Sequence, residues 1–122
     1  MLKPVVLVVE DDILVRMLAV DTVETAGYTA VEASDADDAI VILESRTDIA
    51  LIMTNVDMPG SMNGLKLAHA ARNRWPPVKI IVVSGKAHLF PSQLPSDARF
   101  IAKPYSQSMM VAELKSWLGS SL

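Results

Sequence analysis

The sequence has no cysteine, few aromatic residues and no long hydrophobic run, and each absence excludes a class of function. Without cysteine the chain has no disulfide, no thiolate nucleophile and no zinc site built on thiolates. The longest apolar run, Val5–Val9, is far shorter than the roughly 20 residues of a membrane-spanning helix, and acids follow it instead of a signal-peptide cleavage site. With 11 basic and 14 acidic residues, the chain also lacks the positive field that a nucleic acid requires. We therefore expect a cytoplasmic protein without direct membrane or nucleic-acid contacts.

The length predicts a single domain. A chain of 122 residues, 51% of them hydrophobic, buries about two-thirds of its unfolded surface without disulfide or metal support. We expect one domain over residues 1–122, with no output domain in this chain.

Short apolar runs predict five strands. Three of these runs are continuous and rich in β-branched residues, which is typical of strands buried on both faces. Two weaker runs complete the set. The predicted strands are residues 5–9, 28–32, 49–53, 78–83 and 99–102.

Segments with helical spacing separate the strands. The first has an apolar stripe formed by Ile13, Met17, Val20 and Val23, and it ends before Gly27. The second is predicted to begin at Ser34 as N-cap. The third covers about residues 63–75 and the last about residues 106–118. Alternation of strand and helix predicts an α/β fold, with a parallel sheet covered by helices on both faces.

Polar residues follow four of the strands, at the edge where α/β sheets carry their chemistry. Converging carboxylates repel one another unless a cation joins them, and oxygen ligands alone favour Mg²⁺. A lysine and a hydroxyl nearby suit a phosphoryl group. Asp12 is explained equally well as a helix N-cap. These strand ends read Glu10-Asp11-Asp12, Thr54-Asn55, Ser84-Gly85 and Lys103-Pro104.

Motifs in this order resemble the receiver domain of two-component response regulators over nearly the whole chain. The resemblance implies a flavodoxin-like (βα)5 sandwich with strand order 2-1-3-4-5. It also implies phosphoryl transfer from a sensor histidine kinase or phosphotransfer protein, and a signal passed to a downstream protein partner. The motifs are Leu7-Val8-Val9-Glu10-Asp11-Asp12, Met58-Pro59-Gly60 followed by Asn63-Gly64, Val83-Ser84-Gly85, and Lys103-Pro104.

The resemblance assigns the cofactor site to the acidic edge. Asp11 would bind Mg²⁺ directly and Glu10 through water. The backbone carbonyl of Asp57 and the side chain at position 55 would complete the protein ligands.

The resemblance also assigns the switch residues. Ser84 would be the switch hydroxyl and Phe100 the aromatic switch. Lys103 would contact the phosphoryl group, and the Lys103–Pro104 peptide would be cis.

Asn55 is the first departure from the family pattern, which has an aspartate as phosphoacceptor three residues before Met58. The position is also set from the other side, 44 residues after Asp11. An amide is a poor nucleophile and forms no acyl phosphate, so we expect no phosphorylation here. We expect the side chain of Asp57 to lean toward the rim and not to replace the missing carboxylate. Fewer charges should weaken Mg²⁺ binding and stabilise the metal-free protein.

The segment between Ser84 and Lys103 is the second departure, because it is shorter than in the family and contains Pro91 and Pro95. Proline inside a helix costs about 3 kcal/mol or more. The sequence therefore predicts that the fourth helix of the fold is short or irregular.

Several alternatives remain open. The chain is a non-enzymatic receiver with a natural or engineered asparagine, or a natural pseudo-receiver that binds proteins independently of phosphorylation. Flavin mononucleotide binding is disfavoured because Glu10, Asp11 and Asp12 would repel a phosphate. A metal-dependent phosphatase would need an Asp-x-Asp motif, whereas the chain has Glu-Asp-Asp. We expect a monomer or a weak homodimer.

Overall fold

A computed structural model gives the fold and describes residues 3–60, 62–85 and 91–119. All strand pairings are parallel, and the strand order is β2-β1-β3-β4-β5. The strands are β1 Val5–Val9, β2 Thr29–Ala33, β3 Ile49–Asn55, β4 Lys79–Ser84 and β5 Arg99–Ala102. The helices are α1 Ile13–Thr25, α2 Ala36–Ser45, α3 Gly64–Arg74 and α4 Gln107–Leu118. The flavodoxin-like class and the strand order predicted above are confirmed.

The sheet is buried on both faces, as its continuous apolar runs predict. Alternate residues of β1 enter two separate hydrophobic clusters. Leu7 belongs to the cluster beneath α2 and α3, whereas Val6 belongs to the cluster beneath α1 and α4. Both side chains are fully buried. The three layers hold the sheet rigidly and leave the ends of its strands as the accessible edge.

Polar side chains begin each helix as N-caps, namely Asp12, Asp35, Asn63 and Ser106. The prediction of Ser34 as the cap of α2 was wrong by one residue. Asp35 has an extended backbone, and its Oδ1 accepts a hydrogen bond from the Asp38 amide at 2.8 Å. Ser34 instead donates its amide to Asp38 Oδ2 at 3.2 Å.

The predicted apolar stripe of α1 is only partly buried. Ile13 and Met17 are 61% and 58% exposed, so this half of the stripe does not face the sheet. The face that meets the sheet is formed by Ala19, Thr22 and Val23. At 3.6 residues per turn Met17 lies about 120° around the helix from Val23, and it therefore projects away from the sheet.

The described part of the segment between β4 and β5 is irregular, as predicted, and residues 86–90 lie outside the described residues. Its described part contains a 3-10 turn over Pro91–Gln93. Two side chains of α3 hold this segment: His69 Nε2 lies 2.7 Å from the carbonyl oxygen of Gln93, and Arg72 Nε donates to that of Ser96 at 2.8 Å. Among the residues described, no helix is long and apolar enough to cross a membrane.

Candidate functional site at the carboxyl edge of the sheet

Lys103 joins two strand ends at the carboxyl edge. Its Nζ lies 3.2 Å from Glu10 Oε1, beyond the end of β1, and 3.2 Å from Asn55 Oδ1, the last residue of β3. The Lys103 amide also donates to the carbonyl oxygen of Ser84 at 3.0 Å, which extends the pairing of β5 with β4. The Lys103–Pro104 peptide is cis. Parallel pairing thus brings these separate sequence segments into one cluster.

Asn55 is the bridge of this cluster, because its amide group acts as both acceptor and donor. Its Oδ1 accepts from Lys103, and its Nδ2 donates to the backbone carbonyl of Asp57 at 2.8 Å. An aspartate could accept from the lysine in the same way, but its carboxylate could not donate to a carbonyl. The second contact is therefore specific to the amide.

Glu10 is the buried anion of the site, with its side chain 7% exposed. Burial raises the pKa of this carboxyl group, and a hydrogen bond with the Asp11 side chain raises it further. The amide of Asp12, which donates to Glu10 Oε2 at 3.1 Å, and the nearby positive charge of Lys103 act in the opposite direction. The net shift is upward, so desolvation of the carboxylate outweighs the two favourable contacts.

Asp57 is exposed, as a side chain at the rim would be, but the expectation that it turns away from the site was wrong. Its Oδ2 accepts a hydrogen bond from the hydroxyl of Ser84 at 3.3 Å. The reason is that the Val56 amide still donates to the carbonyl oxygen of Val83 at 2.9 Å, which keeps the turn after β3 beside β4. The carboxylate of Asp57 therefore faces the end of β4.

Asp12 is a helix cap, which is the simpler of its two interpretations. Its Oδ1 accepts from the amides of Leu14 and Val15 at 2.9 and 3.1 Å. Across residues 3–60, 62–85 and 91–119, no three acidic, histidine or cysteine side chains form a group that could hold a metal ion. The carboxylates of Glu10 and Asp11 are hard oxygen donors of the type that Mg²⁺ takes, but two carboxylates are fewer than the resemblance implies.

Phe100 lies outside this hydrogen-bonded cluster. It is opposite Val82 in the pairing of β4 with β5, and it packs, half-buried, against the cluster beneath α2 and α3. Its position on the strand next to Ser84 is the one that the resemblance implies for the aromatic switch.

Gly64 sets the distance between α3 and the site. A Cβ atom at this position would lie 1.8 Å from the carbonyl oxygen of Asn55 and 2.9 Å from the Thr54 hydroxyl. Only glycine therefore allows the start of α3 to approach the end of β3 so closely. The Asn63-Gly64 motif thus has a direct physical basis.

Two residues near the site were not identified from the sequence. Tyr105 lies next to the cis peptide, and both burial and the negative charge of Glu10 raise the pKa of its hydroxyl group. It borders, with Leu18 and Lys103, a cavity of about 490 Å³ between α1 and the loop after β5. Arg16 donates from α1 to the backbone carbonyl of Glu10. No short motif marks either residue, since both reach the site through tertiary packing.

Comparisons with known proteins agree with this geometry. The sensor kinase CckA of Brucella abortus is 36% identical over 117 residues, which are 93% of this chain but only 12% of that protein. The response regulator receiver protein CpdR of the same organism is 30% identical over 116 residues, covering 93% and 95% of the two chains. The crystal structure of a CheY-like receiver domain protein from Methanospirillum hungatei JF-1 superposes with a TM-score of 0.86 at 27% identity, covering 97% and 94%.

The family model of the response regulator receiver domain matches residues 6–115. That match spans the five strands apart from Val5, the acidic edge and most of α4. The chain therefore belongs to the response regulator receiver domain family of two-component systems.

Proposed function

We propose that this chain is a two-component receiver domain that is not phosphorylated, because asparagine stands at position 55. Asn55 lies at the end of β3 beside Lys103, where the family pattern has its acceptor. Phosphoryl transfer would require an oxygen of this side chain to attack phosphorus and a stable acyl phosphate to form. An amide supports neither step at neutral pH.

One observation carries the proposal: the side-chain amide of Asn55 makes a hydrogen bond with each of two neighbouring groups. It accepts from Lys103 and donates to the carbonyl of Asp57. In a phosphorylatable site a cation would have to join the negative side chain to that carbonyl oxygen. Here the neutral NH₂ group of Asn55 donates directly to that carbonyl oxygen, so this connection needs no cation.

The hydrogen bond from Asn55 to the carbonyl of Asp57 also affects the affinity for Mg²⁺. Glu10, Asp11 and the carbonyl of Asp57 would hold the ion, which would neutralise the acidic edge when bound. Two of these ligands are already engaged, Glu10 by Lys103 and the carbonyl of Asp57 by Asn55. We therefore propose that Mg²⁺ binds more weakly than in a receiver with aspartate at this position.

The partners we propose are a sensor histidine kinase or phosphotransfer protein and a downstream protein. We expect no hydrolytic activity, a cytoplasmic location and a monomer or weak homodimer. The second candidate function is a natural pseudo-receiver used as a binding module. Its support is that Lys103 donates to both Glu10 and Asn55, so the protein's own side chains hold this cluster together.

Exposure to a small phosphodonor tests the proposal. We expect incubation with acetyl phosphate and Mg²⁺ to leave the intact mass of the chain with Asn55 unchanged. The matched variant Asn55→Asp should gain the mass of one phosphoryl group, because its carboxylate attacks phosphorus and acetate leaves. Peptide mapping must locate the group and exclude deamidation of Asn55. A stable phosphoryl gain on the chain with Asn55, at Asp57 or elsewhere, would contradict the proposal.

A further inference from the structure

Arg16 connects α1 to the acidic edge of the site. Its side chain is only 16% exposed, although it stands in the second turn of a surface helix. Its Nη1 donates to the backbone carbonyl of Glu10 at 2.8 Å, and its Nε donates to Glu32 Oε1 at 3.0 Å. A guanidinium group can make both contacts at once because its donors form a planar fork.

The carbonyl of Glu10 lies where the pairing of β1 ends. The amide of the same residue still pairs, donating to the carbonyl oxygen of Ala33 at 3.1 Å. Arg16 supplies the donor for the oxygen, and it completes the set of contacts around Glu10. Each of the four polar atoms of this residue then has a partner, since Asp12 and Lys103 occupy its carboxylate oxygens.

The carbonyl that Arg16 holds belongs to the same planar peptide unit as the amide of Asp11. Fixing the direction of this oxygen fixes the rotation of the whole unit, and hence the relative directions in which the side chains of Glu10 and Asp11 leave the backbone. The contact of Nε with the exposed Glu32 on β2 is a second, weaker contact that orients the guanidinium toward the sheet.

We propose that Arg16 is a positioning residue for the acidic pair Glu10 and Asp11, and that it acts through the peptide unit between them. This inference rests on the proposed function insofar as that pair binds a divalent cation. Supporting groups behind metal ligands commonly change metal affinity by about 10- to 100-fold. Arg16 is a group of this kind, although it holds the backbone of the ligands and not their side chains.

Mg²⁺ affinity in the Asn55→Asp background provides the first test. We expect Arg16→Met to weaken Mg²⁺ binding about tenfold. Arg16→Lys should recover part of the affinity, because an ammonium group can donate to the carbonyl but cannot form the fork. Arg46→Met is the matched control, since Arg46 pairs with the exposed Asp48, at a distance from the site. Glu32→Gln should have little effect, because it removes the charge pair and leaves the bond to Glu10.

The backbone ¹⁵N shift of Asp11 provides a second test that requires no metal. In the chain that keeps Asn55, Arg16→Met should move this resonance and Arg46→Met should not. If Arg16→Met fails to fold, Arg16→Lys takes its place. Unchanged Mg²⁺ affinity in the Arg16 variants, or an equal loss in Arg46→Met, would overturn the proposal. If Asn55→Asp itself binds no Mg²⁺, the metal part of the proposed function fails, and an unmoved Asp11 resonance still refutes the role of Arg16.

Discussion

Asn55→Asp is expected to lower the free energy of unfolding of the metal-free protein by about 0.5–1.5 kcal/mol, the usual net contribution of one hydrogen bond. The variant loses the donor to the carbonyl of Asp57 and places a carboxylate against that oxygen. It also adds a negative charge beside Glu10, which is already buried. The attraction of Lys103 for the new carboxylate offsets only part of this loss. Urea unfolding in the presence of EDTA measures the difference.

Mg²⁺ should make Asn55→Asp the more stable of the two proteins, although it is the less stable one without metal. A ligand that binds only the folded state adds about 2.7 kcal/mol when present at about 100 times its dissociation constant. We expect this gain for Asn55→Asp and a much smaller one for the chain with Asn55. Asn73→Asp, on the exposed side of α3, is the control for adding a charge elsewhere. If Asn55→Asp were the more stable of the two in EDTA, or if the chain with Asn55 bound Mg²⁺ more tightly, the role assigned to the amide would be contradicted.

Lys103→Met is the second change with a large expected effect. It leaves the carboxylate of Glu10 buried without its cation and leaves Asn55 Oδ1 without a donor. Exposed ion pairs contribute about 0–1 kcal/mol, and breaking buried ones costs about 3–5 kcal/mol. The side chain of Lys103 is 29% exposed and that of Glu10 is 7% exposed, so we expect an intermediate loss of about 2 kcal/mol. Urea unfolding at neutral pH measures it, with the exposed Lys66→Met as control.

The loss in Lys103→Met should depend on pH with a defined sign. The folded-state pKa of Glu10 is raised, so the native protein binds this proton more tightly than the unfolded chain does. The contribution of Glu10 to stability is therefore greatest below its unfolded pKa and is lost as pH rises through its folded pKa. Removing Lys103 raises that pKa further. The difference between Lys103→Met and the unsubstituted chain should shrink as pH falls through the raised pKa of Glu10 toward the ordinary pKa of a glutamate, about 4.3. A pH-independent difference would contradict the account.

Strand order and the site edge could be predicted because both follow from local patterns. Buried parallel strands are continuous apolar runs, and the polar residue that ends each run marks the carboxyl edge. Asn55 and Lys103 were placed together by this logic, without knowledge of any distance. The strand limits shifted by one or two residues, since β3 continues to Asn55.

The orientation of side chains could not be predicted in the same way. Helical spacing in α1 defines an apolar stripe, but the packing of Ala19 and Val23 decides which side meets the sheet. Asp57 turns toward Ser84 because the turn after β3 remains paired with β4. Arg16 reaches Glu10 and Glu32 across two strands, and no spacing in the sequence encodes that contact.

The central claim is that the amide of Asn55 takes the place of a cation at the acidic edge. The most direct test is the NMR signal of this side-chain amide during a titration with Mg²⁺. We expect one of its two protons to exchange slowly with water, because it is bonded to the carbonyl of Asp57, and to stay unshifted at millimolar Mg²⁺. The exposed Asn73 amide is the reference for rapid exchange. Two rapidly exchanging Asn55 protons that shift when Mg²⁺ is added would contradict the claim.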